Sequence, residues 1–432
     1  MADTISLRIA IIGAGIAGLT TAIALKHHPS IDIQIYERAS ELREIGASIA
    51  LGPNGMRTLD KLGVQNALDE SIAFRNKSRL PMIYRHYKTN EVVSTDSHRG
   101  DVDFRHLTAR FYRAHLQEAL LEHVDNTRVH LSKAFHSVIS DTASKKLVIT
   151  FTDGTTTTAD VLLGADGISS AVRRFFVSTS APTWTGWVAF RSVFPISHVA
   201  HIPDLPDEAT HIWGPDRSIF MSKLGRDLFT VVGSSQSDPS AHDAPYKDAM
   251  WDSDGDVNQL KQYYQDWSPL VRAVVDAVPY TRIYPNTAGH GLDSWVLGSG
   301  NVTLAGDAAH AHGGAFAAGG SLAIDDAWAF AASILEVFPA SATTAPSEGD
   351  IARALDLYEK TRKSHTDRVL RTVHQGNKKK LDRVSKVETD EELRARMKNR
   401  EDPAWIHEHD VEATFASVLV AEEKRVYGQA RL

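Results

Sequence analysis

Hydrophobic residues run without a polar break from Ile9 to Ile12, and the run stops at Gly13. A short, wholly apolar stretch predicts a strand buried in a parallel sheet. The segment that follows, Ile16 to Leu25, predicts a helix, and Ile31 to Tyr36 predicts a second strand ending at Glu37. A strand or loop over Ile45–Leu51 turns at Gly52-Pro53-Asn54-Gly55 and enters a helix marked by Met56, Leu59 and Leu62. Phe111, Leu116, Ala119, Leu120 and Val124 predict a helix over 105–124, with Arg110 and Arg113 in its first half. From Val129 to Phe151 the pattern alternates and closes on the turn Thr152-Asp153-Gly154-Thr155. A returning strand then runs from Thr156 to Leu163, stops at Gly164-Ala165-Asp166-Gly167, and leads into a helix at Ala171.

The texture changes over 183–290. Short alternating segments such as Trp187–Phe194, Ser218–Ser222 and Leu228–Val232 predict an antiparallel sheet, and five of the eight tryptophans fall in this span. Residues 240–268 read as a loop and helix on its edge. A buried strand returns at Asn301–Ala305 and ends at Gly306-Asp307. A Gly/Ala-rich loop and a long apolar helix from Ser321 to about Phe338 follow. Residues 340–349 read as a linker, and the remainder as charged helices, with Lys378-Lys379-Lys380 a solvated face. The organisation predicted is α/β. A Rossmann-like domain with a parallel sheet (1–75, 100–180 and 290–340) is interleaved with an antiparallel-sheet domain (76–99 and 181–289). A helical C-terminal region (350–432) follows.

The glycines carry the first chemistry. Gly13, Gly15 and Gly18 stand at G-x-G-x-x-G spacing between a strand and a helix. Gly13 allows the tight turn, Gly15 admits a pyrophosphate to the backbone, and Gly18 lets helix and strand approach. Unpaired N–H groups of the helix N-terminus face the phosphates. Glu37 suits both hydroxyls of an unphosphorylated ribose and repels a 2′-phosphate, which points to the adenosine half of FAD or NAD.

Composition narrows the picture. A net charge of −7 gives no reason to expect nucleic acid or an anionic membrane as partner. The absence of cysteine excludes disulfides, thiolate nucleophiles and cysteine metal sites. His310 and His312 lack any accompanying ligand pattern, so no metal is expected. No run approaches the ~18 apolar residues of a membrane span, which fits a cytoplasmic protein. Ala430-Arg431-Leu432 resembles the S-K-L peroxisomal address, against the plain reading of an exposed helical tail.

Taken in order, Gly13-x-Gly15-x-x-Gly18 with Glu37, then Asp166-Gly167, then Gly306-Asp307 resemble the single-component FAD-dependent aromatic hydroxylases, which include salicylate and p-hydroxybenzoate hydroxylases. The family's I-G-A-x-I and P-N-G patterns also occur, at Ile45–Ile49 and Pro53–Gly55. The resemblance implies that Glu37 holds the adenosine ribose and that Arg113 touches the FAD phosphate region, with Arg110 the alternative. It implies that Asp166 lies near the pyrophosphate and that Asp307 binds the ribityl chain. Arg38, Ala50 and Gly320 complete the expected cofactor contacts. Where many members carry a proline and a G-Q-G-like turn after Gly-Asp, this chain has Gly313-Gly314-Ala315-Phe316-Ala317-Ala318-Gly319-Gly320. That variant looks like fungal salicylate hydroxylase-like and phenol-dearomatising enzymes. In the latter an arginine on the substrate sheet holds the phenolate. Arg191 matches its placement, on a strand face shared with Trp187, Ala189 and Val193. Their tyrosine partner on the following strands is missing, since no Tyr lies between Trp213 and Val232.

No second glycine fingerprint follows a strand, so NADH or NADPH is expected to visit as a cosubstrate. The resemblance implies non-covalent FAD, O2 as oxidant, a C4a-hydroperoxide of the flavin and a small phenolic substrate, with Arg191 the catalytic cation. A homodimer stays compatible with the sequence. The competing readings are an FAD epoxidase of an alkene, in which Arg191 lacks a purpose, and a non-catalytic flavin-binding protein.

Overall fold

The computed structural model describes residues 6–42, 47–383 and 386–429. Ile45 and Gly46 of the I-G-A-x-I pattern and the terminal Ala430-Arg431-Leu432 lie outside them. Five parallel strands form the first sheet, in the order Val302–Leu304, Val161–Gly164, Leu7–Ile12, Ile31–Tyr36, Val129–His130. The central strand has no solvated face: Leu7 and Ile9 to Ile12 are all buried, which is why its sequence shows no alternation. The helix Ile16–Leu25 is buried almost all round, because the helix Gly319–Val337 packs on its far side. Gly319–Val337 is covered in turn by Glu348–Leu381, a 34-residue helix started by a Ser347–Asp350 capping box. Among the described residues no helix is long and apolar enough to cross a membrane.

The second large sheet has eight strands. At its centre the strand Thr183–Pro195 runs antiparallel to Leu228–Gln236 on one side and Thr281–Ala288 on the other. Next to the far edge strand Val92–Thr95, Ile83–His86 pairs in parallel with Thr210–Trp213. Period-2 alternation divides the central strand between two surroundings. Val188, Phe190 and Phe194 pack with Met221 and Val231 under Leu260, Val271, Val274 and Val275 of two short helices. The intervening residues, Arg191 among them, face the nucleotide-binding half, where Thr230 Oγ1 lies 3.0 Å from Ser48 Oγ.

Two elements differ from the pattern-based expectation. The helix expected over 105–124 starts only at Arg113 and ends at Leu121, and Ala109–Tyr112 is a strand. Ser48–Leu51 and Phe74–Arg75 pair with its two edges, and that ladder overrides the helical spacing of Phe111 and Leu116. The strand expected from Thr156 to Leu163 breaks at Asp160. Thr156–Ala159 joins a three-stranded antiparallel sheet, and Val161–Gly164 joins the parallel one. Asp160 fixes the crossing by accepting from the Arg8 N–H at 2.8 Å and from the Lys146 ammonium at 2.9 Å.

Candidate cofactor and substrate site

Four parallel strands end side by side, and each ends in one of the singled-out motifs. The carboxyl edge of such a sheet is where ligands of doubly wound folds sit. Gly13 has φ +109°, and a Cβ there would lie 2.4 Å from the Ala165 carbonyl oxygen, so the glycine turn touches the Asp166 turn. A Cβ on Gly18 would lie 2.1 Å from the Gly13 carbonyl oxygen. Above Gly15, by contrast, nothing lies within 4 Å of a built Cβ. The helix behind it has no side-chain cap and no acid in its first turn. This is an open cradle of unpaired N–H groups, and it fits a pyrophosphate.

Glu37 reaches back to the cradle: one carboxylate oxygen accepts from the Ala14 N–H and the other from the Ala39 N–H, both at 2.9 Å. Arg38 beside it is exposed. Asp166 caps the next helix, with one oxygen accepting from the N–H groups of Ala171 and Val172 at 2.6 and 3.1 Å. Its other oxygen is enclosed and has no partner. Arg173, in that helix, donates to the carbonyls of Asp307 and Ala308 at 3.0 and 2.9 Å and ties the two acid turns together.

The two arginines are placed differently. Arg110 is buried and donates to the carbonyls of Thr108 and Pro81, away from the glycine turn. Arg113 opens its helix, and Gln117, one turn later on the same face, donates to the Ala14 carbonyl at 3.3 Å. Gln117 drew no attention in the sequence; its i+4 spacing from Arg113 was the available signal. Gly320 packs against Leu51 and Ile49, where a Cβ would lie 2.7 and 2.9 Å from their side chains. Gly319 is the glycine turned toward His312 and Asp307. Ala50 alternates to the opposite face of its strand from Ile49 and Leu51.

The loop 312–318 carries positive φ at Gly313, Gly314, Phe316 and Ala317. Phe316 and Ala317 pay a conformational penalty there, and such strain gathers at ligand clamps. The loop is pinned from outside, since His407 Nε2 lies 3.0 Å from the Phe316 carbonyl. The two histidines divide. His310 is 2.6 Å from Asp326 in the core, while His312 is buried with both ring nitrogens unpartnered. Among the described residues no cluster of three metal-type ligands occurs.

Arg191 meets this loop, its guanidinium 3.7 Å from a Cβ built on Gly314. Its Nε is enclosed and has no hydrogen-bond partner. Burial pushes its pKa down, Tyr284 opposes that shift, and the like charge of Arg113 adds to it. The Tyr284 ring lies 5.2 Å from the Arg191 guanidinium carbon, so a tyrosine does neighbour this arginine, from outside the Trp213–Val232 span. Tyr284 comes from the other neighbouring strand, and its hydroxyl is engaged with Asp252 at 2.6 Å. Lys378 and Lys379 are exposed, as a solvated face requires. Lys380 instead turns inward, 4.4 Å from the centre of the Trp187 ring.

These features define a dinucleotide-binding fold, and the comparisons specify the nucleotide. Residues 6–202 match the family model described as FAD binding domain. The chain is 26% identical to 6-hydroxynicotinate 3-monooxygenase of Pseudomonas fluorescens, covering 94% of this chain and 96% of that protein. It is 27% identical to salicylate hydroxylase of Pseudomonas putida, covering 95% and 94%. A solved salicylate hydroxylase substrate complex superposes with a TM-score of 0.76 at 21% identity, over 96% of this chain and 98% of that one, and so shares the fold. The chain thus carries an FAD-binding domain and is similar, along nearly its full length, to monooxygenases and hydroxylases named for aromatic substrates.

Proposed function

We propose that this enzyme hydroxylates an activated phenol at the expense of NAD(P)H and O2, with Arg191 holding the phenolate. The observation that carries the reading is the Arg191 guanidinium. It is partnerless at Nε, desolvated, and set against the glycine loop that continues from Gly306-Asp307. Bound FAD supplies the oxygen activation. The cradle at Gly15 receives the pyrophosphate, with Glu37 on the adenosine side, Asp307 toward the ribityl chain and Arg113 at the phosphates. The N-terminus of Gly319–Val337 presents partial positive charge to the flavin ring. Arg191 lowers the pKa of a phenol placed beside it, since a nearby cation favours the ionised form, and orients the ring that is to be attacked. The sheet and the strained loop keep water from the reacting face.

A panel of phenols and salicylates tests this through stimulated NAD(P)H consumption and product mass. Gain of one oxygen by a phenol supports the reading, and simultaneous loss of carbon dioxide assigns the decarboxylating branch. If no phenol stimulates NAD(P)H oxidation in FAD-loaded protein, the reading fails and the flavin-binding alternative stands.

A further inference from the structure

The inner face of the eight-stranded sheet carries a second cation that the hydroxylation chemistry does not use. Lys380 closes the long helix, and its ammonium sits over the indole of Trp187. Among the described residues no carboxylate pairs with it within 4 Å. The charged groups facing it from neighbouring elements are Arg383, just past the helix, and Arg396 from the helix Asp390–Lys398, both like-charged. His211 approaches from the strand Thr210–Trp213 and is half-buried and neutral, its pKa pushed down to about 3 by desolvation first and then by the Lys380 and Arg400 cations. Arg396 is itself satisfied by Glu388 at 2.6 Å. Burial and these like charges lower the Lys380 pKa to about 8, so at neutral pH the ammonium stays charged and unneutralised.

Trp187 and Arg191 lie four residues apart on one strand and, by alternation, on one face, about 13 Å along the sheet. Between Lys380 and Arg191 the sheet therefore presents two cationic ends joined by a largely aromatic floor. Trp213, Phe220 and the His211 ring extend that floor sideways: His211 stacks edge-on against both, with ring centres 5.7 and 6.3 Å apart.

We propose that Lys380 is a specificity residue that binds an anionic group at the far end of an elongated aromatic substrate, carboxylate by class, whose phenol lies at Arg191. This rests on the phenol-hydroxylase reading and adds to it the length and second charge of the substrate. A single-ring salicylate is too short to reach both cations, whereas a two-ring hydroxy acid spans them.

The test uses FAD-loaded enzyme and two probes, the para,para′ hydroxybiphenyl carboxylate and its methyl ester, with binding followed by flavin absorbance. Wild type is expected to bind the acid at least ~10-fold tighter than the ester, the scale of one charge-assisted hydrogen bond. Lys380→Met is expected to bring the two together, and Lys380→Arg to restore most of the preference. In wild type the acid-to-ester affinity ratio is expected to fall as pH rises past about 8, where Lys380 loses its proton, because ionisation of the phenol that both probes share cancels in the ratio. That titration decides the matter if Lys380→Met does not retain FAD. Equal binding of acid and ester by wild type, no binding of either, or a preference that survives Lys380→Met overturns the proposal. Stimulation of NAD(P)H oxidation by the ester is read separately. Its loss counts against phenol hydroxylation, and its presence with no acid preference counts against Lys380 alone.

Discussion

Arg362 and Arg191 are both guanidinium groups drawn away from water, Arg362 fully and Arg191 in part, and they are held there differently. Arg362 lies fully buried in the long helix. It contacts Asp326 at 2.8 Å and Asp325 at 4.0 Å, and Asp326 also binds His310 at 2.6 Å. Asn54 donates to Asp325 at 2.8 Å, which brings the turn at Pro53 into the same network. Burial works against every charge here. Even so, His310 and Arg362 bring Asp326 down to about 2, and the partner carboxylates raise Arg362. Among the described residues Arg191 has no such carboxylate, and burial lowers its pKa. One cation is balanced by its own chain and supports the fold. The other shows no such balance among the described residues. A buried arginine is informative only once its counter-charges have been counted.

Four changes probe that contrast, beginning with the largest expected effect. Arg362→Met leaves two buried aspartates without their cation and is expected to cost ~3–5 kcal/mol, read as a lowered denaturant midpoint whatever substrate is present. A melt indistinguishable from wild type would remove the network from the list of structural supports. Arg191→Met should do the reverse: FAD content and melting stay near wild type, while coupled product formation drops by ~10²-fold or more. Normal product yield in that variant would sink Arg191 as the phenolate partner. Asp307→Ala removes a charge-assisted contact and is expected to weaken FAD retention by ~1.5–3 kcal/mol, measured by titrating apoprotein; an unchanged dissociation constant would take Asp307 out of the cofactor site.

The change that is smallest per pH unit concerns His407, which pins the strained loop. Burial lowers its folded pKa to about 4 from 6.5. Below pH 6.5 the unfolded chain takes up a proton that the folded one refuses. Stability is therefore complete above 6.5 and is lost as pH falls toward 4, by ~1.4 kcal/mol per pH unit for this one proton. His407→Gln should make the acid limb of a stability profile shallower by that amount. An unaltered limb would mean that the proton is taken up elsewhere.

The cofactor half was legible in the sequence because its signals are contiguous. Gly13 to Gly18 form one turn, Glu37 ends the next strand, and Asp166 and Asp307 sit at strand ends beside glycines. The substrate half depends on which strands become neighbours. Tyr284 stands nearly a hundred residues from Arg191 in the chain, and only the pairing of Thr281–Ala288 with Thr183–Pro195 brings them together. Lys380 was misread for a related reason. A run of three lysines looks solvated until the helix carrying it is laid across a second domain, where one of the three turns inward. Arg110 and Arg113, three residues apart, lie on a strand and on a helix respectively, and no local periodicity separates them.

The parallel pairing of Ile83–His86 with Thr210–Trp213 has a consequence for biosynthesis. The earlier strand leaves the ribosome 127 residues before its partner, counting from Ile83 to Thr210. At ~5–20 residues per second that gap lasts about 6–25 s. For that time the apolar Ile83 and Tyr84 have only the hairpin with Val92–Thr95 for company. Brevity and neighbouring charge, Arg85 within the strand and Lys88 in the hairpin, guard such an edge against pairing with another nascent chain. Replacing those two basic residues by apolar ones should therefore lower the yield of soluble protein in the cell while leaving the melting point of whatever does fold nearly untouched.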